Sequence, residues 1–291
     1  MAEAISRATG EPFAVAALTP IGGGDISQAY RVGSGARRYF VKTNRTGLLP
    51  MFDAEAAALR TLGNAQCVRV PQPLATGTAE GQAFLVLEYL DLHSAGHAAL
   101  LGEQLAELHR TLPAAPQQAQ FGWTHDNWIG RTPQANAWRD SWIEFWREQR
   151  LGQQLRLAAL NGYGGSLLRD GESLLDRLDA FFDGYQPAPS LLHGDLWGGN
   201  HAYLEDGSPV VFDPAVYFGD RECDLAMSEL FGGFADDFYA AYRAAWPLDA
   251  GYSVRKSLYN LYHVLNHANL FGGSYVAQAT RMTAALLAQI R

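Results

Sequence analysis

The sequence predicts an α+β protein of two lobes, a small N-terminal antiparallel sheet with one helix followed by a larger, mainly helical C-terminal lobe. Three observations carry this. Up to about residue 90, short runs rich in β-branched and aromatic residues alternate with glycine-containing turns, which is how strands read. Beyond Leu92, leucines and alanines recur at helical spacing. The 291 residues, 48% hydrophobic and 18% charged, are enough for two packed bodies around a cleft. The break belongs near Glu88–Leu92, giving residues 1–90 to the first lobe and 91–291 to the second.

Within the first lobe, Phe13 to Ile21 is largely apolar and strand-like. Gln28 to Val32 and Arg37 to Thr43 flank Gly33-Ser34-Gly35 and fit a hairpin. The stretch Pro50 to Arg60 is alanine-rich and helical, with the proline suited to a first turn. Val68 to Leu74 and Ala83 to Tyr89 read as further strands. In the second lobe, Ala95 to Leu112 sets Leu101, Leu105 and Leu108 on one helical face. A Pro/Gln-rich loop spans Pro113 to Gln120, and helices are expected over Trp138–Leu160 and Ser166–Phe182. Val210 to Phe212 is a short strand. Helices follow over Asp220–Gly232, Asp236–Ala245, Val254–Phe271 and Val276–Ile290.

A formal charge of −8 argues against a nucleic-acid partner, whose phosphates such a chain repels. No uncharged apolar run approaches the roughly twenty residues of a membrane span, so no membrane partner is expected. Met1 to Gly10 lacks the apolar core of a secretory signal. Cys67 and Cys223 supply neither a disulfide framework nor a metal cluster, and as buried free thiols they suggest the cytoplasm.

The chemistry concentrates in Leu192-His193-Gly194-Asp195-Leu196-Trp197-Gly198-Gly199-Asn200, followed by Val211-Phe212-Asp213-Pro214. Asp195 and Asn200 lie five positions apart (200 − 195), and Asp213 follows thirteen later (213 − 200) at the end of an apolar run. Asp, Asn and Gly together also make ordinary turns. With a second Asp at this distance, however, the set has the layout of a kinase catalytic loop and its metal-binding Asp. Asp195 is then the catalytic base that takes the hydrogen bond of an attacking hydroxyl. Asn200 and Asp213 offer oxygens to a hard cation such as Mg2+. His193 is expected to support the loop from beneath, and Asp224 either caps a helix or ties down the loop backbone.

A phosphate grip is expected N-terminally. Gly22, Gly23 and Gly24 lie between two predicted strands, where their N–H groups can approach the phosphates of ATP, although a plain hairpin turn would also use them. Lys42, in the next strand, could reach those phosphates, with Glu55 on the following helix as its ion-pair partner. Asp53 competes for that lysine but points about 160° away around the helix. At the end of the last strand, Glu88, Tyr89 and Leu90 form the hinge, where the Glu88 carbonyl and Leu90 N–H could read adenine.

Only eleven positions separate Asp213 from Asp224 (224 − 213), and there is no Ala-Pro-Glu motif. A protein kinase needs a longer activation segment, so the acceptor is a small molecule, as in the aminoglycoside and choline kinases. The catalytic loop with its Trp197, Phe212-Asp213-Pro214-Ala215, Tyr217 to Glu222, Asp224 to Met227 and Glu229 to Phe234 resemble the fructosamine/ketosamine 3-kinase family. So do Phe121-Gly122-Trp123, the surroundings of Trp138, and Leu265 to Gly273. The similarity covers nearly the whole chain.

This resemblance implies a bilobal protein-kinase-like fold and ATP-dependent phosphorylation of the 3-hydroxyl of a sugar joined through a ketoamine to a small amine or a protein lysine. Elimination of the 3-phosphate adduct would free the amine, making the protein a deglycation enzyme. By the same resemblance Asp195 is the base, Asn200 and Asp213 hold magnesium, Lys42 and Glu55 grip the nucleotide, and Trp197 lines the sugar site. Trp123, Asn127 and His267 are further substrate-binding candidates; core packing is the competing role for Trp123 and Trp128. His263 and His267 are four apart on a helix without a third ligand, which favours structural or substrate-lining roles over a metal site. Asp25 stands where eukaryotic members often carry Cys, so a thiol switch in that loop is not expected. The alternatives are a kinase of another small alcohol, such as an aminoglycoside, choline or methylthioribose, and a nucleotide-binding pseudokinase scaffold.

Overall fold

The computed structural model describes residues 1–22, 26–117 and 119–290. Helix α1 (Ala2–Thr9) precedes strands β1 (Ala17–Ile21), β2 (Gln28–Ser34) and β3 (Arg37–Arg45). Helix α2 (Leu49–Ala65) leads into β4 (Pro73–Ala79) and β5 (Gln82–Glu88). These strands form one antiparallel sheet in the order β1-β2-β3-β5-β4. Side chains alternate across it with period two. On one face Val32, Val41, Phe84 and Val86 bury Ile5 of α1 and Phe13. On the other, Leu85 and Leu87 meet Phe52, Leu59 and Leu62 of α2 in the main core. The same alternation turns Phe40 and Lys42, the neighbours of Val41, toward α2 and the cleft.

After the hinge come α3 (Ala98–His109), the hairpin β6 (Asn127–Ile129) and β7 (Thr132–Gln134), then α4 (Trp142–Trp146), α5 (Gly152–Leu160) and α6 (Ser166–Asp176). Short strands β8 (Ser190–Leu192), β9 (His201–Tyr203), β10 (Pro209–Val211) and β11 (Tyr217–Gly219) follow. Helices α7 (Glu222–Leu230), α8 (Asp236–Ala245), α9 (Tyr252–Phe271) and α10 (Ser274–Gln289) complete the chain. One core runs from the inner face of the sheet through α3, α4 and α9. This is the α+β arrangement expected.

Several expected elements change. The strand over Phe13–Ile21 starts only at Ala17, because Phe13 leaves the sheet plane to pack edge-on against Tyr39 at 5.2 Å. The strand over Val68–Leu74 is instead β4: Pro71 removes a ladder donor, Val68 and Val70 are buried, and Arg69 makes a single parallel bridge to Val210. The helix from Trp138 begins at Trp142, where the Ser141 hydroxyl accepts the Glu144 N–H at 3.3 Å, and widens to a π turn over Arg147–Leu151. The helix over Ser166–Phe182 ends at Asp176 and gives way to a 3-10 turn over Leu178–Phe181. The short strand expected over Val210–Phe212 is β10, shifted by one residue; helix α1 and the other three-residue strands were not expected, since one large apolar residue, or three residues in all, leave no readable period.

Candidate active site

The segment 193–200 is fixed at both ends by strand pairs. Its entrance, β8, pairs with β11 (Leu192 opposite Tyr217), and its exit, β9, pairs with β10 (His201 opposite Val211). Two further backbone bonds extend these ladders inward, Phe212 N–H to Asn200 O at 3.0 Å and Ala215 N–H to His193 O at 2.9 Å. The loop and the Asp213 turn therefore face each other. Gly194 must be glycine: its φ is +83°, and a Cβ there would collide with the Ala215 carbonyl oxygen. Asp213 has φ +57°, a left-handed conformation that Asp tolerates better than most residues.

Beneath the loop, Asp224 of α7 accepts the N–H groups of His193 at 2.7 Å and Gly194 at 2.8 Å, and Nε2–H of His109 at 3.2 Å. Of the two expectations for Asp224, loop-tying fits this geometry; its side chain does not cap α7. Burial alone would raise its pKa, but the His109 hydrogen bond and the Gly194 N–H outweigh it and hold the carboxyl below its ordinary value. His109 is driven by burial toward the neutral form. Its Nδ1 lies 2.8 Å from the Tyr242 hydroxyl, so one neutral tautomer serves both partners. His193 is fully buried, with Nε2 3.0 Å from the Phe212 carbonyl and Nδ1 accepting the Asp195 N–H at 3.3 Å. Burial lowers its pKa, and as expected it supports the loop from beneath.

Asn200 donates its amide to the Asp195 carbonyl at 2.8 Å and to Asp195 Oδ2 at 3.2 Å, which turns its side-chain oxygen the other way. Burial, followed by the charge of Asp213, raises the Asp195 carboxyl to about 7 against the Asn200 hydrogen bond. Across the cleft, Lys42 Nζ lies 2.6 Å from Glu55 Oε1 and 2.6 Å from Asp213 Oδ1. Burial would lower the lysine pKa, but these two carboxylates outweigh it and keep the ammonium charged. Asp53 faces the sheet instead, accepting the Thr76 hydroxyl at 2.5 Å.

A cavity of about 580 Å³ joins the two groups. Gly22, Lys42, Glu55, Glu88, Leu90, Asn127, Asp195, Trp197, Asn200 and Asp213 all line it. Gly23, Gly24 and Asp25 lie outside the described residues. Three expected site residues do not line it. Tyr89 stands beneath the Arg38 guanidinium, 5.2 Å from its ring centroid. Trp123 is 5% exposed and belongs to the core, because the hairpin that follows it packs inward. His267 sits beside the cavity, its ring 5.0 Å from Phe231, which in turn meets Trp197. Asn127 lines the wall, but its carboxamide points inward to the Val216 carbonyl, Gln134 and Asn136. The sequence reading missed His109 and Tyr242; 115 and 133 residues separate His109 from its partners, so no local pattern could reveal them.

The fructosamine kinase family model matches residues 1–289. A Synechocystis protein described as a probable ketoamine kinase is 45% identical over 97% of this chain and 94% of its own. The chloroplastic protein-ribulosamine 3-kinase of Arabidopsis thaliana is 41% identical over 93% of this chain and 82% of its own. A crystal structure from Haemophilus somnus, assigned as a fructosamine-3-kinase, superposes with a TM-score of 0.88 at 29% identity, covering 98% of this chain and 96% of that one.

Proposed function

The chain belongs to the fructosamine kinase family, and on that footing we propose that it transfers the γ-phosphoryl group of ATP to the 3-hydroxyl of ketosamines, whether on small amines or on glycated protein. The single observation that carries the proposal is the geometry of the 193–200 loop. Asp195 and Asn200 are held by Asp224 from below and face Lys42, Glu55 and Asp213 across one cavity. Phosphoryl transfer is mainly positioning and electrostatics, and this arrangement provides both.

In the proposed mechanism Asp195 accepts the proton of the 3-hydroxyl as that oxygen bonds to the γ-phosphorus and ADP departs. A carboxylate raised to about 7 has the proton affinity suited to a general base near neutral pH. Lys42, steered by Glu55, moves from Asp213 to the nucleotide phosphates when these arrive. Gly22 offers its N–H group to the same phosphates, and the Glu88 carbonyl and Leu90 N–H read adenine. Asn200 and Asp213 are the donors for Mg2+, a hard cation usually held by one or two carboxylates together with substrate phosphates and water. Two protein oxygens suit that habit, and among the described residues no cluster of three acidic, His or Cys ligands competes. When bound, the ion supplies charge neutralisation for the phosphates. Trp197 lines the sugar site.

We place the reaction in the cytoplasm, supported by two free thiols, Cys67 and Cys223. Among the described residues no helix is long and apolar enough to cross a membrane. Incubation with ATP, magnesium and a panel of fructosyl- and ribulosyl-amines tests the proposal. Mass-spectrometric detection of a 3-phosphorylated product is expected, and failure to phosphorylate any member would refute it.

A further inference from the structure

A second cavity, of about 520 Å³, shares no wall residue with the catalytic one. It is bounded by the last two turns of α2, the 66–73 link into β4, and Gln104 of α3, so both lobes contribute to it. Its wall carries two arginines, Arg60 and Arg69, and no carboxylate, in a chain with 30 acidic and 22 basic residues. Arg60 is exposed and joins no ion pair among the described residues. The remaining polar side chains are chiefly neutral amides. Gln104 is one of them, and its Oε1 is buried without a hydrogen-bond partner among the described residues. A buried polar atom left unpaired costs free energy that a bound donor would recover.

These groups select a ligand. Arginine forks bind phosphate through paired, charge-assisted hydrogen bonds. The last turn of a helix instead presents carbonyl oxygens short of partners, and its negative end repels an anion. A ligand's hydroxyls therefore belong beside Asn64, in that turn of α2, and its phosphate at the arginines. The space is larger than one inorganic phosphate and falls in the range of about 300–1,000 Å³ typical of small-molecule sites.

The wall is also wired to the nucleotide site. The Arg69 guanidinium donates to the Glu88 carboxylate, whose Oε2 accepts the Gln72 N–H at 3.2 Å. The Glu88 N–H in turn donates to the Gln72 carbonyl at 2.8 Å, and Glu88 lines the catalytic cavity. The Arg69 carbonyl accepts the Val211 N–H at 3.0 Å, at the end of β10 and two residues before Asp213. A phosphate on Arg69 competes with the Glu88 carboxylate for the same guanidinium.

We propose that this cavity binds a sugar phosphate monoester, and that its occupation weakens nucleotide binding by drawing Arg69 away from Glu88. The effect on the nucleotide rests on the kinase reading above; the cavity's own affinity does not.

Iodoacetamide labelling of Cys67 in the full chain, read by mass spectrometry, reports occupancy without any catalysis. Cys67 is half-buried in the cavity wall, whereas Cys223 is buried in the main core. Millimolar glucose 6-phosphate is expected to slow this labelling, and glucose or inorganic phosphate at the same concentration to slow it far less. Arg60→Glu should raise the Kd for glucose 6-phosphate about tenfold and leave kcat unchanged. Saturating glucose 6-phosphate should raise the Kd for ATP about fivefold in the wild type. Labelling that glucose 6-phosphate does not slow, or protection that Arg60→Glu leaves intact, overturns the site. Equal protection by inorganic phosphate overturns its preference for a sugar body, and equal protection by glucose overturns phosphate recognition. Protection with an unchanged Kd for ATP overturns the coupling. A wild-type chain that binds no ATP overturns the kinase reading, and the labelling then decides the cavity separately.

Discussion

Replacing Asp224 by Asn should destabilise the protein and slow its chemistry without weakening nucleotide binding. The carboxylate accepts two backbone N–H groups at 2.7 and 2.8 Å and the His109 ring at 3.2 Å, all buried. An amide of the same shape can accept from one of those N–H groups, but its own NH2 must then face the other donors. A buried donor left unsatisfied costs about 1–3 kcal/mol, and the charge-assisted bond that remains is weakened as well. The expected loss is about 2–4 kcal/mol, or a fall in Tm of roughly 8 °C for a chain of this size. The loop carrying Asp195 loses one of its two anchors on Asp224, and a displacement of about 1 Å at a reacting group can cost about a hundredfold in kcat. Asp224 does not line the cavity, so the Kd for ATP should stay within about twofold of wild type. Calorimetric unfolding, steady-state kinetics and nucleotide titration read the three quantities. Because the folded pKa of Asp224 lies below its ordinary 3.8, this stabilisation is complete above about pH 4 and disappears only as pH falls below that. A variant with wild-type Tm and kcat at pH 7 would refute the reasoning.

Three further outcomes follow from the same geometry. Asp195→Asn should lower kcat by about a thousandfold while ATP still binds, since only proton acceptance is removed; a loss under tenfold would argue against a base at this position. Glu55→Gln leaves Lys42 paired with Asp213 alone, so the lysine is no longer steered to the phosphates, and the KM for ATP should rise about tenfold with the acceptor KM little changed. His263→Leu tests a buried imidazole whose Nδ1 has no hydrogen-bond partner among the described residues and whose pKa burial lowers to about 3. In the wild type, stability present above about pH 6.5 is lost as the unfolded chain takes up a proton that the folded chain refuses. The variant should therefore gain on wild type by about 1.4 kcal/mol for each pH unit below 6.5, and parallel urea-denaturation profiles between pH 7.5 and 5.5 would exclude the effect.

Long elements with strong patterns could be read directly from the chain. Helix α8 falls where its sequence places it, and α2 and α9 extend their expected spans by a few residues at the ends. Lys42 could be assigned to the cleft because it sits in a strand beside the buried Val41. Glu55 separates from Asp53 by helical geometry alone, and the two carboxylates do take different partners. Apart from β10, short or proline-interrupted stretches could not be read. Pro71 moved a strand, and three-residue ladders such as β8–β11 exist only because their partners, 25 residues apart at Leu192 and Tyr217, are brought together by the core.

The sequence by itself determined the chemistry of the loop: a carboxylate, an amide and a second carboxylate at fixed spacing, set in a two-lobed α+β chain. These are local properties, carried by residue type and by the period of strand and helix. Only the tertiary structure decided which groups meet. It put Asp224, His109 and Tyr242 beneath the loop, withdrew Trp123 into the core, turned Tyr89 out under Arg38, and set Phe231 and His267 beside Trp197. The reason is that burial and hydrogen-bond satisfaction act over the whole fold. A buried carboxylate takes whichever donors the packed helices bring to it, however far apart they lie in the chain.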